Sequence, residues 1–116
     1  MTEKVVVLAL TGEAACFAHA LLNTLDMQKR GIEVKMVIEG AATRLIKELA
    51  DPQKPFAPLY AKVVEARLID CVCRACCKIL GSLEAAEAQK LPLCDEMSGH
   101  PSIGRYVVEG YRVISF

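Results

Sequence analysis

The chain has 116 residues, 53% of them apolar, which suits one compact domain with a small but genuine core. Its 14 basic and 14 acidic residues cancel and form no basic stripe, so the composition argues against a nucleic-acid partner or an anionic membrane surface. The apolar run Val5 to Leu10 is too short for a signal peptide or a membrane span, and the expectation is a cytoplasmic protein with no membrane partner.

Lys4 to Leu10 is a β-branched and aliphatic run of the kind that forms a strand covered on both faces. From Ala14 to Arg30, Ala18, Leu21, Leu22 and Leu25 recur at helical spacing, and Gly31 supplies the stop. Ile32 to Ile38 reads as a second strand, and Gly40 opens a short helix with Leu45, Ile46 and Leu49 on one face. Three prolines make Asp51 to Pro58 a loop, and Pro58 fits the first turn of a helix through Tyr60, Val63 and Val64. Arg67 to Val72 is a third strand and Cys73 to Leu80 a short helix ended by Gly81, after which Ser82 can cap another through Glu84, Ala85, Ala88 and Gln89. Leu91 to Cys94 makes a brief fourth strand. Pro101 suits the first turn of a helix from Ser102 to Glu109, and Tyr111 to Phe116 closes the chain as a fifth strand.

Strands alternating with helices, without hairpin signals, predict an α/β domain spanning residues 1–116. The expected architecture is a flavodoxin-like, open, mainly parallel five-stranded sheet with helices on both faces. Sites in such sheets form where the carboxyl ends of the strands meet the following loops. Thr11 to Cys16, Glu39-Gly40, Cys73 to Cys77 and Cys94 to His100 should therefore converge on one edge.

The chemistry concentrates in the run DCVCRACCKILG, Asp70 to Gly81. Cys73 and Cys76 form a C-x-x-C at a strand-to-helix junction, a spacing that puts both sulfurs on one helical face one turn apart. Cys73 falls near the N-cap, where free backbone N–H groups together with Arg74 and Lys78 favour thiolate, so it is the expected nucleophile. Cys76 is the resolving or second-carrier thiol. Cys71 should point to the same side as Cys73, and Cys77 should turn away from Cys76; each also fits as a small buried hydrophobe. His100, in the loop SGHPS, can act as base, proton donor or metal ligand, or bond only to backbone. His19 receives no role.

In a reducing compartment the six cysteines should be mostly free rather than a disulfide framework. A zinc ribbon would show two C-x-x-C pairs and there is one, so an alternative metal or small-ligand site would use Cys73 and Cys76 with one or more of Cys16, Cys94 and His100 from distant segments. A phosphate loop, a nucleophile elbow and a zinc-protease helix are all absent from the sequence, and covalent thiol chemistry needs no organic cofactor.

A strand followed by Cys73, then Gly81 eight positions on, a glycine after the first strand and a C-terminal GYRVISF resemble the DsrE/DsrF-like sulfur-relay family, including its TusD and YchN-type members. The resemblance covers essentially the whole chain and implies a single DsrE-like domain. It further implies a persulfide carried on Cys73, with Cys76 matching a second cysteine of YchN-type members. The protein would then be a cytoplasmic sulfur carrier or sulfurtransferase-like protein that exchanges sulfur with donor and acceptor proteins and forms a dimer, trimer or hexamer.

Overall fold

The computed structural model describes residues 2–116. Five strands form one sheet: β1 (Lys4–Ala9), β2 (Glu33–Ile38), β3 (Ile69–Cys73), β4 (Leu93–Cys94) and β5 (Arg112–Ser115). Their spatial order is β4-β3-β2-β1-β5 and every pairing is parallel, the open α/β architecture expected from the alternation of elements. The helices are α1 (Ala14–Lys29), α2 (Arg44–Glu48), α3 (Ala57–Glu65), α4 (Arg74–Leu80), α5 (Leu83–Ala88) and α6 (Ile103–Val108), with a 3₁₀ turn at Gly40–Thr43.

The direction of the crossovers decides which face each helix covers. The chain steps outward from β1 to β4 in one direction, so right-handed connections lay α1 to α5 on the same face. There Phe17, Leu21, Ile46, Tyr60, Val63, Cys77 and Ala86 pack on Val5, Val7, Met36, Ile38 and Val72. The return from β4 to β5 reverses direction and places α6 on the opposite face, where Tyr106 and Tyr111 cover Val6, Leu8, Val37 and Cys71. Alternate residues of β1 and of the second half of β2 thus feed two cores, which is why Val5–Ala9 and Met36–Ile38 read as apolar runs.

One irregularity prepares the site. Met36 pairs with Ile69 but Val37 pairs with Cys71, so Asp70 is an extra residue in β3. Asp70 and Cys71 consequently both address the α6 face, where the Tyr106 hydroxyl donates to Asp70 Oδ2 at 2.5 Å. Two expectations about helix starts need correction. Pro101 precedes α6 rather than entering it; Ser102 is the N-cap, its Oγ accepting the Arg105 N–H at 3.3 Å. Ser82 occupies the N-cap of α5, but its side chain makes no capping bond. Among the described residues no helix is long and apolar enough to cross a membrane.

Candidate functional site: two thiols and an imidazole

Three segments meet at the carboxyl end of the sheet, as their position after β2, β3 and β4 requires. Cys73 is the last residue of β3 and the N-cap of α4, and its Sγ accepts the Cys76 backbone N–H at 3.3 Å. The helical turn between them brings the Cys76 sulfur to the same edge, where it accepts the Gly40 N–H at 3.3 Å. Gly40 makes this contact with φ at +59° and stands so close to the chain that a Cβ would meet the Leu10 carbonyl oxygen at 3.3 Å.

His100 completes the cluster. Its Nδ1 lies 3.1 Å from Cys73 Sγ and 3.8 Å from Cys76 Sγ, and all three donor atoms fall within 4.8 Å of one another. The loop that carries it is closed by two backbone bonds between Met97 and His100, of 2.8 and 3.0 Å, and docks on α4 through Ala75 N–H to Gly99 O at 2.9 Å. Gly99 permits this approach: it has φ +93°, and a Cβ there would stand 2.9 Å from the Ala75 Cβ. Cys73 Sγ–H also faces the Gly99 carbonyl at 3.8 Å.

The electrostatics differ from the sequence expectation of an exposed, activated Cys73. Its residue is fully buried, and burial pushes the thiol up to about 12, assisted by the neighbouring Cys76 sulfur and opposed by the Cys76 N–H. The single helical turn offers one N–H, while Arg74 and Lys78 are exposed, so water screens their charges. Cys76 and His100 are only half-buried and form the accessible side of the cluster. Glu39, also half-buried, belongs to this edge: burial pushes its carboxyl up and the nearby His100 partly offsets this. The sequence marked Glu39-Gly40 by position but offered no role for either, and Gly99, beside His100, is a signal that it did not exploit.

The other cysteines are elsewhere. Cys71 and Cys94 form a disulfide with Cα atoms 5.6 Å apart, a bridge that the sequence did not single out, while the other four cysteines are free, in keeping with mostly free thiols. The cause is register: β4 pairs beside β3 with Cys94 opposite Cys73, and the bulge turns Cys71 toward the α6 face. Cys71 is therefore held in the bridge rather than in the donor cluster of Cys73, Cys76 and His100, and Cys94 is removed from the candidate ligands of that cluster. Cys16, in the first turn of α1, contacts Glu13 Oε2 at 3.5 Å and joins no donor cluster among the described residues. Cys77 is buried in the main core, and burial raises its thiol. A cleft of about 500 Å³, bordered by Arg67, Asp70, Gln89 and Lys90, opens at the start of β3, away from the thiols.

No protein-family model matches the chain. A solved protein of unknown function from Bacteroides thetaiotaomicron, BT1422, shares the fold with a TM-score of 0.70 over 98% of this chain and 95% of its own, at 17% identity. An uncharacterized protein of Archaeoglobus fulgidus is 49% identical over 37 residues, 32% of this chain and all of the relative. The uncharacterized protein MJ0733 of Methanocaldococcus jannaschii is 32% identical over 96 residues, 83% of this chain and 76% of its own length. By that similarity, the chain belongs to the family of MJ0733.

Proposed function

We propose that this protein is a sulfur carrier that takes sulfane sulfur onto the Cys73–Cys76 pair and passes it to a protein thiol. The observation that supports this reading is the convergence of two sulfurs on one imidazole nitrogen at the accessible edge of the sheet, each sulfur also receiving a backbone N–H. In loading, a carrier thiolate attacks the outer sulfur of a donor persulfide. The donor S–S bond breaks, a carrier–S–S bond forms, and the donor leaves as a thiol. Unloading repeats the exchange, with an acceptor thiolate attacking the outer sulfur. Neither step changes the overall redox balance or requires an organic cofactor.

The residues divide the work by access. Cys76, half-buried, is the sulfur at which donor and acceptor exchange; Cys73, buried behind it, shares the load and keeps it from solvent. His100 Nδ1 takes the thiol proton, which matters because burial holds Cys73 protonated. The same reading has the chain self-associate, which the exposed Val107 and Val108 of α6 and Val113 and Ile114 of the edge strand β5 support.

Intact-protein mass spectrometry after incubation with a sulfane donor tests the assignment. The parent should gain one labile sulfur, Cys73→Ser and Cys76→Ser should lose most of that gain, and Cys16→Ser should retain it. If both cluster variants load as readily as the parent, the reading is wrong.

A further inference from the structure

We propose that Cys73, Cys76 and His100 also form a three-ligand site for a divalent thiophilic ion, Zn²⁺, with one coordination position left open. This proposal stands apart from the sulfur reading, because it rests on the donor set and its geometry rather than on any transfer step.

The distances carry it. A tetrahedral zinc ion bound at about 2.3 Å to sulfur and about 2.0–2.1 Å to nitrogen sets its sulfur and nitrogen ligands about 3.5 Å apart and two sulfurs about 3.8 Å apart. His100 Nδ1 lies 3.1 and 3.8 Å from the two sulfurs, on either side of that value, and all three donors fall inside 4.8 Å. An ion placed among them needs the two nitrogen–sulfur distances to shift by only a few tenths of an ångström and the sulfur–sulfur separation by at most about one. The three ligands come from two segments that the fold has already locked together through the Ala75–Gly99 bond and the Met97–His100 pair.

The surroundings are those of a ligand set. The Gly40 and Cys76 N–H groups each donate to one sulfur, orienting it and stabilising negative charge there, the role that outer-shell partners play for metal-bound thiolates. Since Nδ1 is the nitrogen that faces both sulfurs, it is the ligating atom, and Nε2 carries the ring proton. Two thiolates neutralise the ion, releasing two protons as it binds. Two sulfurs and a nitrogen match zinc better than the all-oxygen sets that select magnesium or calcium. Cys76 and His100 are half-buried, so the fourth position faces the accessible side, open to water or to an exogenous thiolate.

The test is Co²⁺ and Zn²⁺ titration of metal-free protein, handled anaerobically after a thiol assay has confirmed the four free cysteines. The expected result is one Co²⁺ per chain with a sulfur-to-cobalt charge-transfer band and visible bands of tetrahedral intensity, displaced by one equivalent of Zn²⁺. Cys76→Ser and His100→Ala, checked for folding by circular dichroism, should each weaken binding more than about a hundredfold, beyond the ~10–100-fold typical of losing an outer partner. Cys16→Ser and the Cys71→Ser/Cys94→Ser double variant should bind as the parent does. A parent without the charge-transfer band, or a folded Cys76→Ser and His100→Ala pair with parental affinity, overturns the site. Sulfur loading that fails while Co²⁺ still binds overturns the sulfur reading alone.

Discussion

Gly99→Ala probes how the protein holds His100 against its two sulfurs. At φ +93° an alanine pays about 1–2 kcal/mol for a left-handed backbone. Its Cβ would also stand 2.9 Å from the Ala75 Cβ, well inside the ~3.5–4.0 Å of ordinary carbon contact, and crowding of that kind costs about 1–3 kcal/mol. The docked loop is thus raised by roughly 2–5 kcal/mol. Opening the loop breaks the Ala75–Gly99 hydrogen bond, the two Met97–His100 backbone bonds and the contacts of His100. Strain in the docked form lowers that opening cost by its own amount, so the loop should open locally more often while the sheet stays folded. Iodoacetamide alkylation of each cysteine, read by peptide mass spectrometry, measures that opening. Alkylation of the buried Cys73 should accelerate at least roughly thirtyfold, the factor that 2 kcal/mol represents, with only a small fall in the urea midpoint. Adding Ala75→Gly removes the crowding but not the backbone cost, and should bring the acceleration back to about tenfold. If Cys73 in Gly99→Ala reacts within twofold of the parent, the close approach of Gly99 to α4 does not position His100.

Other perturbations address the neighbouring chemistry. The Cys71–Cys94 disulfide closes a loop across a sequence separation of 23, so Cys94→Ser should cost about 3 kcal/mol in urea unfolding of the oxidised protein and almost nothing once the parent is reduced. An equal cost in both states would mean that the bridge does not stabilise the β3–β4 pair. The pH dependence of stability should carry the signature of Cys73. Its thiol rises from an ordinary 9.0 to about 12 on folding, so between those values the unfolded chain loses its proton first. The stabilisation is fully present below about pH 9 and is lost as pH climbs toward 12, by at most about tenfold in the folding constant per pH unit. Metal-free Cys73→Ala should show a shallower alkaline decline than the parent, and parallel curves would refute the assignment.

The pattern of strands and helices was legible because it rests on local signals. An unbroken apolar run marked β1, the β-branched and apolar residues of Ile32 to Ile38 marked β2, helical spacing marked α1, and Gly31, Pro58 and Gly81 marked where helices end or begin. The C-x-x-C spacing placed Cys73 and Cys76 together because one helical turn suffices to do so. Less was legible where a side chain's state depends on distant packing. The local N–H and the charges of Arg74 and Lys78 favour an activated Cys73, but the residue is fully buried and burial dominates. The fate of Cys94 depended on a two-residue strand finding its register against β3, and that of Cys71 on a single extra residue at Asp70.

What the sequence by itself determined is an alternating α/β chain with a paired thiol at the end of its third strand, since these follow from periodicities of two and 3.6 residues and from the residues that break them. Only the tertiary structure decided which distant groups join that pair. Parallel pairing of β2, β3 and β4 carries Gly40 and His100 to the two sulfurs, sends Cys94 to Cys71 and leaves Cys16 with Glu13. The reason is physical: a sulfur site of this kind is made by strand order and register, which depend on contacts between segments far apart in the chain and leave no local mark on any one of them.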